Sequence, residues 1–199
     1  VNEEERRIEF SRECGSRIAN LLAPLRDDVA PDLVVQDWRA AREAGVHVDD
    51  RWQRQGVSEM APILTGPLPP LERLELFLER GLQEQLHLKE STGVTVGCSF
   101  GNMVVELGTV DEVLRDRLSQ LFDDWAALLQ RALDDAVAAG DLPEIDTGQA
   151  ARGMLAFIEG LGVLIKAKDD PLAAADLLPL ALRLAGADPA RIPGRAAAT

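Results

Sequence analysis

The sequence predicts an all-α protein, and three observations carry that prediction. Leu and Ala dominate, Tyr is absent, and β-branched residues are sparse outside Leu33–Val35 and Val94–Val96. Apolar residues return at steps of three and four along several long segments. The breaks between those segments are Gly, Pro and Asp turns. At 199 residues the chain can bury one sizeable core, or join a small domain to a larger one.

The pattern divides the chain into a small helical head at residues 1–66, a larger bundle at 67–185 and a frayed tail at 186–199. In the head, Ile8, Cys14, Ile18, Leu21, Leu22 and Leu25 share one side of a segment from Glu3 to Leu25. Asp27, Asp28, Pro31 and Asp32 break it. Shorter helices are expected at Leu33–Ala44, ending at Gly45, and at Asp49–Gln55, followed by an apolar stretch from Val57 to Leu64. Pro67, Pro69 and Pro70 then form a stiff boundary. A helix can start at Pro70, where the missing N–H costs nothing.

The bundle opens with Leu71, Leu74, Leu78, Leu82 and Leu86 at helical spacing, with Phe77 beside them, over Leu71 to His87. Lys89–Gly93 reads as a polar break and Val94–Leu107 as a second helix, where Gly97 and Gly101 permit close helix approach. Thr109 to Gly140 is the organising stretch. Leu114, Leu118, Leu121, Trp125, Leu128, Ala132 and Ala136 make one row, which Phe122, Leu129, Leu133 and Val137 widen. Thr109 and Glu112 have capping-box spacing, and Gly140 can end the helix in the left-handed conformation. After a turn at 141–146, Thr147–Lys168 is the most apolar segment, buried on more than one side. The last helix is expected from Asp170-Pro171 to Ala185, kinked at Pro179.

Net charge is −13, so no large basic field covers the surface, and any DNA contact must work against the global charge. Cys14 and Cys98 form no disulfide framework. With a charged rather than apolar start, VNEEERR, they predict reduced thiols in a cytoplasm. No apolar run approaches membrane-spanning length. Glu84 and His87 have the Glu-x-x-His spacing of di-iron bundles, but the only other histidine is His47, so no metal centre is expected. Without a neighbouring basic residue, Cys98 reads as an inert buried thiol. No nucleophile elbow, phosphate loop or paired-Cys zinc spacing appears, so neither enzymatic activity nor a cofactor is expected.

From about Pro70 to Leu184, the chain resembles the C-terminal domain of the TetR family of transcriptional regulators. The motif GCxxGNxxxEL, present as Gly97-Cys98-Ser99-Phe100-Gly101-Asn102-Met103-Val104-Val105-Glu106-Leu107, carries much of the resemblance, with AAGDLP ahead of a buried, glycine-bearing helix. The resemblance implies a small head, a larger antiparallel bundle and a homodimer built on the last two long helices. Ile158, Leu161, Leu164, Leu178 and Leu182 are the expected interface residues. It also implies a pocket for a small apolar effector. Phe77, Cys98, Asn102, Met103, Phe122, Trp125, Met154 and Phe157 are the candidate lining, although Met and aromatics at helical spacing are as readily plain core.

The family's head is a helix-turn-helix. Ala41-Arg42-Glu43-Ala44-Gly45-Val46 resembles its A-x-x-A-G-V turn, and Trp52 stands where the family usually has Tyr. Elsewhere the head departs: Gln55 replaces the usual Phe, Ser58 the usual Lys, and Asp49 and Asp50 occupy the presumed recognition helix. Residues 1–70 hold nine Arg and no Lys against thirteen Asp plus Glu, whereas a DNA-reading head is normally basic. Arg39, Arg42, Arg51, Trp52 and Arg54 are the candidate DNA contacts, and the expected DNA binding is weaker than the family norm. The expectation is therefore a ligand-responsive transcriptional regulator, most simply a repressor. The alternative is a dimeric helical ligand-binding or interaction protein without DNA-binding activity.

Overall fold

A computed structural model describes residue 57 and residues 60–109 and 111–188. The chain divides between Trp52 and Gln53, so everything described belongs to its second part. The readings made for the head, including Arg39, Arg42, Arg51, Trp52 and Arg54, lie outside the described residues, as does the tail beyond 188. No strand occurs among the described residues, and the fold is all-α.

Helix α1 spans Pro70–Thr92, opens on the proline at its first position and closes at Gly93 (φ 79°), whose N–H donates to the Lys89 carbonyl. The expected break at Lys89–Gly93 is instead the last turn of α1. A final turn on the surface needs no apolar residues, and Gly93 supplies the left-handed stop. Residues 94–98 are not helical, and α2 is confined to Ser99–Leu107. The reason is Gly97, which stands at φ 69°, a conformation a helix cannot contain.

Helix α3 spans Glu112–Ala138 and buries the predicted row of Leu114, Leu118, Leu121, Trp125, Leu128, Ala132 and Ala136, with Leu129 and Leu133. Its N-cap is Asp111, whose Oδ1 accepts the Leu114 N–H at 2.9 Å, not Thr109. Asp directly precedes the first helical residue, and its carboxylate also favours the positive end of the helix dipole. Helix α4 runs Thr147–Lys168 as expected, capped by Asp146 on the Gln149 N–H and ended by Asp169 at φ 50°.

The single kinked last helix is replaced by two pieces, a 3₁₀ segment at Pro171–Leu177 and α5 at Leu178–Leu184. Pro179 lies within the first two positions of α5, so it starts a helix rather than bending one. The core joins Leu74 and Leu78 of α1, Leu129 and Leu133 of α3, Met154 of α4 and Leu182 of α5. Residues 60–64 are helical, and Leu64 is fully buried in that same core. Arg73 fastens this stretch: Nη1 donates to the Leu64 carbonyl (2.9 Å) and Nη2 to Asp135 Oδ2 (2.7 Å).

Candidate functional site: the joint between α2 and α4

The segment before α2 is gripped from two sides. Gln85 of α1 receives the Gly97 N–H (2.9 Å) and donates to the Gly97 carbonyl (3.2 Å). At the end of α4, Asp169 Oδ1 accepts the Thr95 N–H at 2.7 Å, while Lys89 Nζ donates to the Asp169 carbonyl and to Oδ2. The Lys89 ammonium and the Thr95 amide together hold the Asp169 carboxyl below its usual 3.8.

Three glycines let α2 approach α4. A Cβ on Gly97 would lie 2.6 Å from the Gly162 carbonyl oxygen, so the two backbones touch. A Cβ on Gly162 would meet the Cys98 nitrogen at 3.2 Å, and one on Gly101 would overlap Glu159 Oε2. Cys98 caps α2: its Sγ accepts the Gly101 N–H at 3.3 Å and its carbonyl accepts the Asn102 N–H at 2.9 Å. Asn102 bridges outward, donating to the Val96 carbonyl and accepting from Lys166 Nζ at 2.8 Å.

Burial, then the Glu159 carboxyl, push the Cys98 thiol up to about 12. It therefore stays protonated at physiological pH and is neither a nucleophile nor a reactive redox thiol. Glu159 itself is raised above 4.5, chiefly because burial penalises its charge, with the Cys98 hydrogen bond opposing.

The expected pocket residues fall into three groups. Phe77, Met154 and Phe157 belong to the main core, where Met154 is fully buried. Phe122 and Trp125 of α3 meet edge to face at 5.4 Å, and Phe100 of α2 meets Trp125 the same way at 5.3 Å. Met103 is buried on α2. Cys98 and Asn102 come together at the joint with Glu159 and Lys166. Glu159 carries no motif of its own in the sequence. The signal for it was the GC-x-x-G spacing, which leaves a notch one turn into α2.

Of the expected interface residues, Leu161 and Leu182 are buried within one chain, and Ile158, Leu164 and Leu178 are half-buried. What α4 leaves exposed is a different row: Gly153, Ala156, Gly160, Val163 and Ala167. A Cβ on Gly153 or Gly160 would meet nothing within 4 Å. Among the described residues no His, Cys, Asp and Glu group has the makings of a metal site, and no helix is long and apolar enough to cross a membrane.

The model of the tetracyclin repressor-like C-terminal domain matches residues 70–179, a little over half the chain. The chain is a member of the TetR family of regulators. Neither the curated proteins nor the solved structures contain a match to it.

Proposed function

We propose that the protein is a ligand-responsive transcriptional repressor that works as a homodimer and has no enzymatic activity. The observation that carries this reading is the family match over the bundle. A small, largely apolar effector binds among the bundle helices and favours one arrangement of the dimer over another. That differential affinity lowers DNA affinity. Phe77, Met103, Phe122, Trp125, Met154 and Phe157 are the side chains proposed to meet it, and the arginines of the head are the proposed phosphate contacts. The protein acts in the cytoplasm.

The dimer supports a refinement of the expected interface. Because Leu161 and Leu182 are consumed inside the protomer, the proposed contact runs along Gly153, Ala156, Gly160, Val163 and Ala167 of α4, and the exposed Leu172 and Leu184 are proposed to join it. Val163 is 67% exposed and Leu184 61%, and both gain from burial against a second copy. Small residues at this spacing let two helices pack closely.

Two experiments test the reading. In the first, binding to the DNA upstream of its own coding sequence is titrated at several salt concentrations, with and without ligands that raise the melting temperature in a screen. Specific, salt-dependent binding that a stabilising ligand weakens is the expected result. Absence of DNA binding at moderate salt would leave the alternative, a dimeric ligand-binding protein. In the second, Val163→Glu is expected to give monomers by sedimentation at micromolar concentration. A Val163→Glu protein that remains dimeric would move the interface elsewhere.

A further inference from the structure

We propose that α2 is held on α4 by a proton-linked clasp, in which Glu159, seated at the notch of Gly101 and paired with the Cys98 thiol, keeps the helix in place while protonated and releases it on ionising. The inference is independent of any effector or DNA.

The geometry supplies the seat. Gly101 has no side chain, and the Glu159 carboxyl occupies the space a Cβ would take. A helix N-terminus ordinarily welcomes a carboxylate. Here, however, the Gly101 N–H goes to Cys98 Sγ and the Asn102 N–H to the Cys98 carbonyl. Those two amides are thus spent on Cys98, and the Cys98 S–H, which favours the ionised form, offsets burial only in part.

The surrounding charges do not compensate. Among the described side chains, the titratable group on the α2 side is Cys98, which stays a thiol because its own ionisation is pushed up to about 12. Along α4 the basic residues Arg152 and Lys166 stand seven positions away on either side, about two turns or ~10 Å, and Lys166 is engaged by Asn102. From α1, Gln85 is neutral and bound to Gly97, and Lys89 is bound to Asp169. Helix α3 meets α2 through the uncharged rings of Trp125 and Phe100. Burial accordingly raises the Glu159 carboxyl above 4.5.

The step is loss of one proton to solvent. A carboxyl whose folded value is raised gives its full stabilisation below the ordinary carboxylate range, and that stabilisation is lost as pH rises through the folded value. If the seat opens, the ionised carboxyl reaches water, so opening becomes easier by up to about tenfold per pH unit in that window. Phe100 rides on the first turn of α2, so unseating the helix uncovers Trp125.

The test is hydrogen exchange of the α2 amides in the full-length protein from pH 5 to 8.5, corrected for intrinsic rates, alongside Trp125 fluorescence in a Trp38→Phe/Trp52→Phe background. The expected result is an α2 opening that follows a one-proton titration while the core amides of α3 stay flat. Glu159→Gln should remove the titration and hold α2 at its low-pH protection. Should Glu159→Gln fold poorly, Gly101→Ala displaces only the flexible carboxyl end and should remove the titration as well. A flat wild-type profile, a titration that survives either substitution, or an ordinary carboxylate value for Glu159 in a carbon-detected NMR titration would overturn the proposal.

Discussion

Two carboxylates fasten the 94–102 region to α4, and they are opposites. Asp169, at the exposed end of the helix, meets an ammonium and a backbone amide, and its carboxyl is held below the usual range. Glu159, mid-helix, is buried against a thiol and a glycine, and its carboxyl is pushed up. The same functional group on one helix thus contributes to folding with opposite pH signs. Solvation and partners decide the sign. Asp169 stabilises above its unfolded value and loses that contribution as pH falls. Glu159 stabilises below 4.5 and loses its contribution as pH rises.

The largest expected effect breaks both fastenings at once. Gly97→Ala forces a side chain into φ 69° and against the Gly162 carbonyl, both of which are backbone features that cannot swing away. A loss of at least about 2 kcal/mol is expected in urea unfolding. A loss below 0.5 kcal/mol would show that the contact is not tight. Glu159→Gln comes next, separating the buried carboxylate from the exposed one. It should raise stability at neutral pH by about 1 kcal/mol, because the neutral amide avoids the cost of burying a charge. The gain should shrink toward pH 4, and destabilisation at pH 7 would contradict the burial argument. The smallest effect is that of Asp169→Asn. A modest drop in melting temperature at pH 7 should shrink as pH falls below the ordinary carboxylate range and shrink in 0.5 M salt, because the pair is solvent-facing. A pH-independent drop would mean that the Thr95 hydrogen bond, not charge, carries the contribution.

How much of this was legible in the sequence depended on whether local rules acted alone. Helix α3 is readable because its apolar row repeats for about six turns, and Thr147–Lys168 because a buried helix has few charges and clear ends. The boundaries that failed were those set by a single residue's backbone or by a tertiary partner. The spacing of Gly97 to Gly101 is helical and predicts a helix through both, whereas the conformation of Gly97 answers to Gly162, 65 positions away in the chain. Periodicity runs through Pro179 and predicts a kink there, whereas the 3₁₀ segment resets the phase. Glu159 stayed hidden because one acid among apolar residues looks like surface until the notch opposite it is seen. The small-residue row on α4 was masked by the leucines between its members, which attract attention and then turn inward.

The burial of Leu64 has a practical consequence for dissecting this protein. The prolines at 67–70 advertise a cutting point, and a fragment beginning there would carry α1 to α5. It would also leave a leucine-sized hole in the core, worth about 2–5 kcal/mol by the usual cost of such truncations. Arg73, with only 6% of its surface exposed, would lose the Leu64 carbonyl as an acceptor while still holding Asp135. Residues 60–66 therefore behave as a keystone of the bundle rather than as a tether to it. An excised domain that keeps Val57 onward should melt cooperatively where the shorter one does not.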